Sequence, residues 1–190
     1  MSINYSTIDI RKRQAIIQLL WIGIGSICMF FAGLSSLIFV DKIQFPESPS
    51  WFLYSTIVII LSSILLIAVK GQIKKDRPVF ILILFVFVLG LVFTYSQFQG
   101  WRELNLNPKS LNDVPKYFTG GSKESSLLFV LTGAHLAHLF AGLISLLVIT
   151  INAKNNKYNS KNYLGIKLAS IYWHFLTILW IYLFLFLKYL

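Results

Sequence analysis

Cysteine is almost absent from this sequence. The single residue, Cys28, lies inside a long apolar run, so the chain has no disulfide framework and no cysteine-based metal site. Charge is also scarce, because 13% of the 190 residues are charged and 56% are apolar. Soluble domains average about 25% charged and 45–50% apolar residues. The composition therefore excludes an ordinary soluble protein and indicates one that lies in a membrane.

Five long apolar runs account for most of the chain. A helix of about twenty such residues crosses the ~30 Å hydrocarbon core of a bilayer. We therefore predict an all-α integral membrane bundle that forms one transmembrane domain over residues 1–190. The first run is about twice as long as a signal-peptide core and lacks a small-residue cleavage site, so we expect it to be retained. The predicted spans are 15–40, 51–69, 78–100, 126–151 and 166–188.

The 17 Lys and Arg residues orient this bundle. When the N-terminus is placed on one side, that side receives eleven of them and the opposite side receives six. Because cytoplasmic loops carry the excess of Lys and Arg, we expect a cytoplasmic N-terminus and, with five spans, a periplasmic C-terminus. Topology then explains the formal net charge of +10, and no nucleic acid is needed as a partner.

Acidic residues are missing from the spans. All seven Asp and Glu residues lie in the tails or loops. Ion-coupled transporters usually carry a titratable acid at membrane depth, and many consist of two inverted halves, which five spans cannot supply. The pattern argues against an autonomous transporter.

The three histidines are the residues in the spans that could bind a metal. His135, His138 and His174 all lie within spans. The fourth and fifth spans are antiparallel, and His138 and His174 lie near their midpoints, so a heme with two histidine ligands is geometrically open. A metal site needs a complete ligand set and a second shell, and no further ligand type is visible at this depth. Polar contacts to neighbouring helices are therefore the favoured interpretation.

Small residues recur every four positions beside these histidines. They are Gly133, Ala137, Ala141 and Ser145. Such a ridge lets membrane helices approach each other closely. We expect the fourth span to be an inner helix whose small-residue ridge contacts another helix of this chain.

The third span ends in polar and aromatic side chains. Gln97 and Trp101 are of the types that anchor a helix end in the headgroup layer. Interface anchoring is the favoured interpretation, ahead of a quinone site.

Four short motifs, in order along the chain, resemble those of heme–copper oxidase subunit III. The fourth span reads F-V-L-T-G-A-H-L-A-H over 129–138 and is followed by Gly142, similar to the family's F-V-x-T-G-x-H-x-x-H. The fifth reads Y-W-H-F over 172–175 with Trp180 beyond it, similar to Y-W-H-F-x-x-x-x-W. The third contains L-G-x-x-F-x-x-x-Q over 89–97, and the segment 26–31 matches most of S-E-x-M-F-F.

The resemblance implies an accessory subunit that carries out no redox chemistry itself. In that family, subunit III belongs to the terminal oxidase that reduces oxygen to water, and this chain looks like its shorter, five-helix form. No catalytic residue, cofactor or metal is then expected in this chain, because hemes and copper belong to subunits I and II. The implied partners are those two subunits, phospholipids and a larger respiratory supercomplex where one forms. The implied location is a bacterial inner membrane.

The resemblance further implies that the chain stabilises subunit I, holds phospholipid and assists oxygen access and proton uptake. We expect Trp173 and the three histidines to form one polar and aromatic cluster between helices. The candidate structural and lipid-contact residues are Gln97, Trp101, His135, His138, Gly142, Tyr172, Trp173 and His174.

Two positions depart from the family pattern. Ile27 and Thr177 stand where many members have acids, so roles that depend on those acids, such as collecting protons, are not carried over. The motifs also leave the electron donor open between cytochrome c and quinol. Two alternatives remain at this point: the related accessory protein of nitric oxide reductases, and a heme b membrane anchor of a dehydrogenase.

Overall fold

A computed structural model describes residues 5–40, 50–106, 123–160 and 162–189, with side chains described for 11–37, 50–100, 102, 130–160 and 162–188. These ranges contain five helices and no strand. The helices are α1 (Tyr5–Val40), α2 (Ser50–Ile73), α3 (Phe80–Leu106), α4 (Lys123–Lys154) and α5 (Leu164–Tyr189).

All five helices are long and apolar enough to cross a membrane. The predicted all-α membrane bundle is therefore confirmed, whereas its orientation in the membrane stays a prediction. Several helices extend beyond the predicted spans, most clearly α1, which begins at Tyr5. The extension is possible because a helix can continue beyond the hydrocarbon core, and the side chains of Arg11, Lys12 and Arg13 are exposed, as polar residues at such a helix end need to be.

Helices α2, α3, α4 and α5 form a closed four-helix ring. Each packs against its two neighbours in the ring, so that α2 contacts both α3 and α5, and α4 contacts both α3 and α5. The buried stripe of α2 recurs at the three- and four-residue spacing of one helix face. Its members are Phe52, Ser55, Ile59, Ser62, Leu66, Val69 and Ile73.

Helix α1 lies outside the four-helix ring, against α4 and α5. Its main anchor is Phe31, which is 1% exposed and packs with Leu131, Leu179 and Leu183. Ile27 packs at the edge of the same cluster. Only 11% of the most apolar stretch of α1 is buried, compared with 44% for α4 and for α5.

The two turns on the side of the α1 N-terminus are built alike. Helix α2 ends at Ile73 and is followed by a left-handed Asp76, and α4 ends at Lys154 and is followed by a left-handed Asn156, each with a φ of 51°. In both, backbone hydrogen bonds of the Schellman type close the helix, from Arg77 N to Gln72 O and from Lys157 N to Asn152 O. The two turns are joined, since the Ser160 N–H donates to Asp76 Oδ1 over 2.7 Å.

The prediction for the small-residue ridge fails at Gly133 and Ala137, while Ala141 and Ser145 line an opening beside Leu20 of α1. Ala137 and Ala141 are exposed, and a Cβ added to Gly133 would have no neighbour within 4 Å. Helix α4 is nevertheless an inner helix, because it contacts α3 and α5 through the adjacent face that carries Leu139 and Gly142. Spacing identified residues that share a face, but in a membrane an apolar face can meet lipid as readily as protein.

Candidate functional site

Trp173 lies at the centre of the four-helix ring and is 1% exposed. Its indole Nε1–H on α5 donates to Ser62 Oγ on α2 over 3.0 Å. Ser62 Oγ in turn donates to the Val86 carbonyl oxygen on α3 over 3.4 Å. These two hydrogen bonds join three helices. They also give the buried indole N–H a partner, and leaving that group without one would cost about 1–3 kcal/mol of stability.

Two glycines make room for the Trp173 ring. A Cβ on Gly90 of α3 would lie 2.9 Å from Cη2 of the indole, and a Cβ on Gly142 of α4 would lie 3.2 Å from Cζ3. The Gly142 Cβ would also lie 2.7 Å from Cδ1 of Leu176. Real Cβ atoms essentially never lie within 3 Å of a neighbour, so a side chain at Gly90 would displace the indole and one at Gly142 would displace Leu176 and crowd the indole. The candidate residue Gly142 is therefore a packing residue.

Trp180, seven residues after Trp173 on α5, forms a second indole hydrogen bond to α2. Its Nε1–H donates to Thr56 Oγ1 on α2 over 3.0 Å. The rings of Phe52 and Phe93 meet it edge-on, with centroids 5.6 and 5.5 Å away. The imidazole of His135 lies tilted over it at a centroid distance of 5.2 Å. Such edge-to-face and tilted pairs are the arrangements that aromatic rings prefer.

His135 is held by packing alone within the described part of the chain. It is 2% exposed, and neither ring nitrogen has a hydrogen-bond partner there. Its ring contacts are Trp180 and, edge-on at 6.3 Å, Phe93. The imidazole therefore fills space between α3, α4 and α5.

Gln97 does not anchor the helix in the headgroup layer, so the favoured sequence interpretation of this residue is wrong. Its side chain is 5% exposed, and Nε2 on α3 donates to Ser55 Oγ on α2 over 2.9 Å. The Ser55 hydroxyl in turn donates a hydrogen bond to the Phe52 carbonyl oxygen over 2.9 Å. A buried amide needs such partners, and α2 supplies one. Trp101 lies within α3, but its side chain is outside the described residues.

His174 faces α2. Its Nδ1 lies 2.5 Å from Ser63 Oγ, and the two groups share a hydrogen bond. His138 faces α1 instead, where its ring meets Phe31 edge-on at 5.9 Å. Its Nδ1–H donates to the Ala134 carbonyl oxygen at 2.7 Å, since a carbonyl oxygen can only accept.

Tyr172 connects α5 to α4. Its hydroxyl group donates to the His138 carbonyl oxygen over 3.1 Å. The phenol ring also lines an open cleft between α1, α4 and α5. Tyr172 is thus a structural contact that borders a cleft.

The predicted single cluster of Trp173 and the three histidines is not found. His174 and Trp173 contact different serines of α2, His135 stacks on Trp180, and His138 faces α1. On α5 the reason is angular, because adjacent residues point in different directions around a helix. On α4 the two histidines share a broad face, but His138 lies where that face meets α1 and His135 lies where it meets Phe93 of α3 and Trp180 of α5. A heme shared by His138 and His174 would need both imidazoles in one gap, and they face different neighbours.

The described residues contain no group of three or more His, Cys, Asp or Glu side chains that could hold a metal ion. The two positions that depart from the family pattern hold uncharged groups. Thr177 is buried, and its hydroxyl donates to the Trp173 carbonyl oxygen at 3.0 Å. Ile27 packs on the cluster around Phe31.

An open cleft of about 520 Å³ separates α1 from α4 and α5. We call it the α1 cleft. Its walls are mainly aliphatic and small, and Asn152, Tyr158 and Tyr172 add polar groups. The other lining residues are Leu20 from α1, Ala141, Ser145, Val148 and Ile149 from α4, and Gly165, Leu168 and Ala169 from α5. Its size lies within the range of roughly 300–1,000 Å³ that is typical of ligand sites.

Hydroxyl groups of α2 are the functional residues that sequence reasoning missed. Ser55, Thr56, Ser62 and Ser63 all accept or share hydrogen bonds from neighbouring helices. A signal was present, because the pairs 55–56 and 62–63 are seven residues apart and so lie on one side of the helix.

Comparison with known proteins agrees with these motifs. The sequence profile of the family Cytochrome c oxidase subunit III matches residues 52–190. Cytochrome c oxidase subunit 3 of Corynebacterium diphtheriae is 27% identical over 173 residues, which cover 83% of this chain and 79% of the relative. A probable cytochrome c oxidase subunit 3 of Mycobacterium tuberculosis is 29% identical over 177 residues, 86% of this chain and 82% of the relative.

A quinol oxidase protein is similar to the same extent. Subunit 3 of the cytochrome bo(3) ubiquinol oxidase of Buchnera aphidicola is 29% identical over 180 residues, which cover 88% of this chain and 82% of the relative. The resemblance predicted from the motifs is confirmed, since the matching profile covers well over half of the chain. The chain belongs to the cytochrome c oxidase subunit III family and is an integral membrane subunit III of the heme–copper oxidases.

Proposed function

We propose that this chain supports subunit I of a respiratory heme–copper oxidase, which reduces oxygen to water, and that the hemes and copper lie in subunits I and II. One observation carries the proposal: the motif residues contact neighbouring helices of this same chain. Trp173 bonds to α2 and fills the space beside Gly90 and Gly142, while His174 bonds to Ser63. Side chains that are used in this way stabilise a bundle.

The test is purification of the complex in mild detergent, followed by mass identification of the partners and an absorption spectrum of the isolated chain. We expect subunits I and II in the complex and no heme band in the isolated chain. A stoichiometric heme band from this chain alone would instead support the heme b anchor.

The electron donor is either cytochrome c or a quinol. Relatives named as subunits of both kinds of oxidase are similar to this chain at 27–29% identity. Because the donor site would lie on other subunits, the distinguishing experiment is oxygen consumption by the purified complex with reduced cytochrome c and, separately, with a quinol. The proposed location is the bacterial inner membrane, with the N-terminus in the cytoplasm.

We further propose that the α1 cleft holds a phospholipid acyl chain. Its mainly aliphatic walls suit a flexible hydrocarbon, and the side chains of Asn152, Tyr158 and Tyr172 supply polar groups for the more polar part of the lipid. Ala141→Leu should fill the cleft and reduce the phospholipid that native mass spectrometry finds on the complex. Ala137→Leu is the matched control, because Ala137 is exposed on the same helix and does not line the cleft. Equal lipid retention in both variants would contradict the proposal.

A further inference from the structure

Helices α2 and α5 meet along a seam of paired polar residues. Thr56 pairs with Trp180, and Ser63 pairs with His174 seven residues further along α2. The next position at the same spacing is Lys70, and the matching position on α5 is Lys167, seven residues before His174. The helices are antiparallel, so the seam ends in two cations at the same level.

The cations at this end are not neutralised by the described part of the protein. The charged neighbours of Lys70 are Lys167 and Lys74, and no carboxylate is among them. We call these three lysines the basic rung. The acid of the turn, Asp76, accepts a hydrogen bond from the Ser160 backbone and is not among the charged neighbours of Lys70. Three like charges at the junction of two helices are unfavourable unless an anion joins them.

The basic rung lies at the depth of the lipid headgroups. Residues 51–69 before Lys70 carry no charge, and neither do residues 168–187 after Lys167. Each run is about the length that crosses the hydrocarbon core, so the lysines mark its boundary. Lys70 is half-buried, while Lys74 and Lys167 are exposed.

Aliphatic side chains continue from the basic rung toward the middle of the membrane. Ile64 and Ile67 of α2 are 57% and 59% exposed, and Ile178 of α5 is 67% exposed. A Cβ on Gly71, next to Lys70, would have nothing within 4 Å. A headgroup therefore has open space beside the cations, and acyl chains have an apolar surface directly above them.

We propose that the basic rung binds the phosphate of an anionic phospholipid, with its acyl chains along α2 and α5. A lipid fits better than an acidic protein segment because the cations and the exposed aliphatic side chains follow one another along the membrane normal. This arrangement matches an amphiphile with a charged head and apolar tail. The site is separate from the α1 cleft and requires only that the chain spans a membrane, so either proposal can fail without the other.

The test uses the intact oxidase complex in phosphatidylcholine nanodiscs. One sample contains a photoactivatable phosphatidylglycerol and the other a photoactivatable phosphatidylcholine with the same reactive group. Mass spectrometry then measures the labelling of peptides from α2 and α5. We expect phosphatidylglycerol to label the segments around Lys70 and Lys167 about tenfold more, since each lysine near anionic lipid contributes several-fold in affinity.

Paired variants identify the cations that matter. The double variant K70Q/K167Q should lose most of the phosphatidylglycerol labelling, whereas K70R/K167R should keep it. The matched control K154Q/K157Q removes the same charge from exposed lysines near the α4–α5 turn and should retain labelling at the seam. If the glutamine variant does not assemble, competition of unlabelled phosphatidylglycerol against phosphatidylcholine in the unchanged complex tests the same preference.

Three outcomes would overturn the proposal. One is equal labelling by the two lipids or equal competition by them. Another is an equal loss in K70Q/K167Q and K154Q/K157Q, which would indicate diffuse attraction to the basic side. The third is carbodiimide cross-linking of Lys70 or Lys167 to a carboxylate of another subunit, which would assign the basic rung to a protein contact.

Discussion

The four-helix ring and α1 are both apolar, yet they are held in different ways. In the ring, buried indoles donate to serine and threonine on α2, and glycines let the rings fit between helices. Helix α1 has no such polar contact to the ring among its described side chains and relies on the cluster around Phe31. Both regions are apolar enough to lie in lipid, so apolarity alone does not decide which helices hold together.

The contrast teaches what specifies packing inside a membrane. Lipid tails are as apolar as leucine, so burying an aliphatic side chain against another helix gains little. Close fit and satisfied polar groups are what remain. The ring has both, whereas α1 has mainly the fit of one aromatic side chain, Phe31, which is 1% exposed.

The largest effect should come from filling a glycine site in the ring. In Gly142→Leu the new side chain would collide with Leu176 and Trp173, whose atoms lie 2.7 and 3.2 Å from an ideal Cβ. We expect the bundle to lose about 3 kcal/mol, at the upper end of overpacking costs. The measurement is unfolding of the chain in detergent as the fraction of SDS is raised. Gly133→Leu is the control on the same helix, and it should be neutral or stabilising by up to about 1 kcal/mol, because the site is open and leucine favours helix.

The next effect concerns the indole hydrogen bonds. Trp173→Phe removes the donor to Ser62 and part of the ring that lies between Gly90 and Gly142. We expect destabilisation of about 1–3 kcal/mol in the same SDS titration. Trp21→Phe on α1 is the control, since Trp21 is 58% exposed and should change stability by less than about 0.5 kcal/mol. Similar losses in the two variants would mean that the ring and α1 do not differ as described.

The sequence predicted the helices well because their signal is simple. A run of about twenty residues without charge crosses a bilayer as a helix whatever it packs against. Length and composition were therefore sufficient for all five spans, including the second, where the family motifs gave no match.

Side-chain partners were harder to predict because neighbouring apolar faces look alike. Gly133 and Gly142 are both in α4, and only the second meets another helix. Gln97 was expected in the headgroup layer because it is near a helix end. Instead Ser55 lies opposite it and accepts a hydrogen bond from its side-chain amide. The position of Ser55 depends on how α2 docks against α3, which no local spacing reveals. The two pairs of hydroxyl residues on α2, seven residues apart, were the sequence feature that indicated a polar contact face.

A smaller effect should come from the hydrogen bond between Ser63 and His174. A double-mutant cycle with Ser63→Ala and His174→Phe should give a coupling energy of about 0.6 kcal/mol, the average for hydrogen bonds between membrane helices, and no more than about 1.7 kcal/mol. Ser26→Ala combined with His174→Phe is the control cycle, because Ser26 is exposed on α1 and donates to the Ile22 carbonyl oxygen of its own helix. That coupling should be near zero. If the coupling energy between Ser63 and His174 were also near zero, their hydrogen bond would not stabilise the packing of α2 against α5.

The smallest effect on the whole bundle should come from the anchor of α1. Phe31→Ala removes the aromatic ring that packs with Leu131, Leu179 and Leu183. Because α1 packs on the outside of the four-helix ring, we expect the free energy of unfolding of the ring in SDS to fall by less than about 1 kcal/mol, while amide exchange of α1 rises. Met29→Ala is the neighbouring control, since Met29 is 79% exposed and should leave exchange unchanged. If Phe31→Ala unfolded the ring as strongly as Gly142→Leu, then α1 would be part of the core, and the division between the two regions would be wrong.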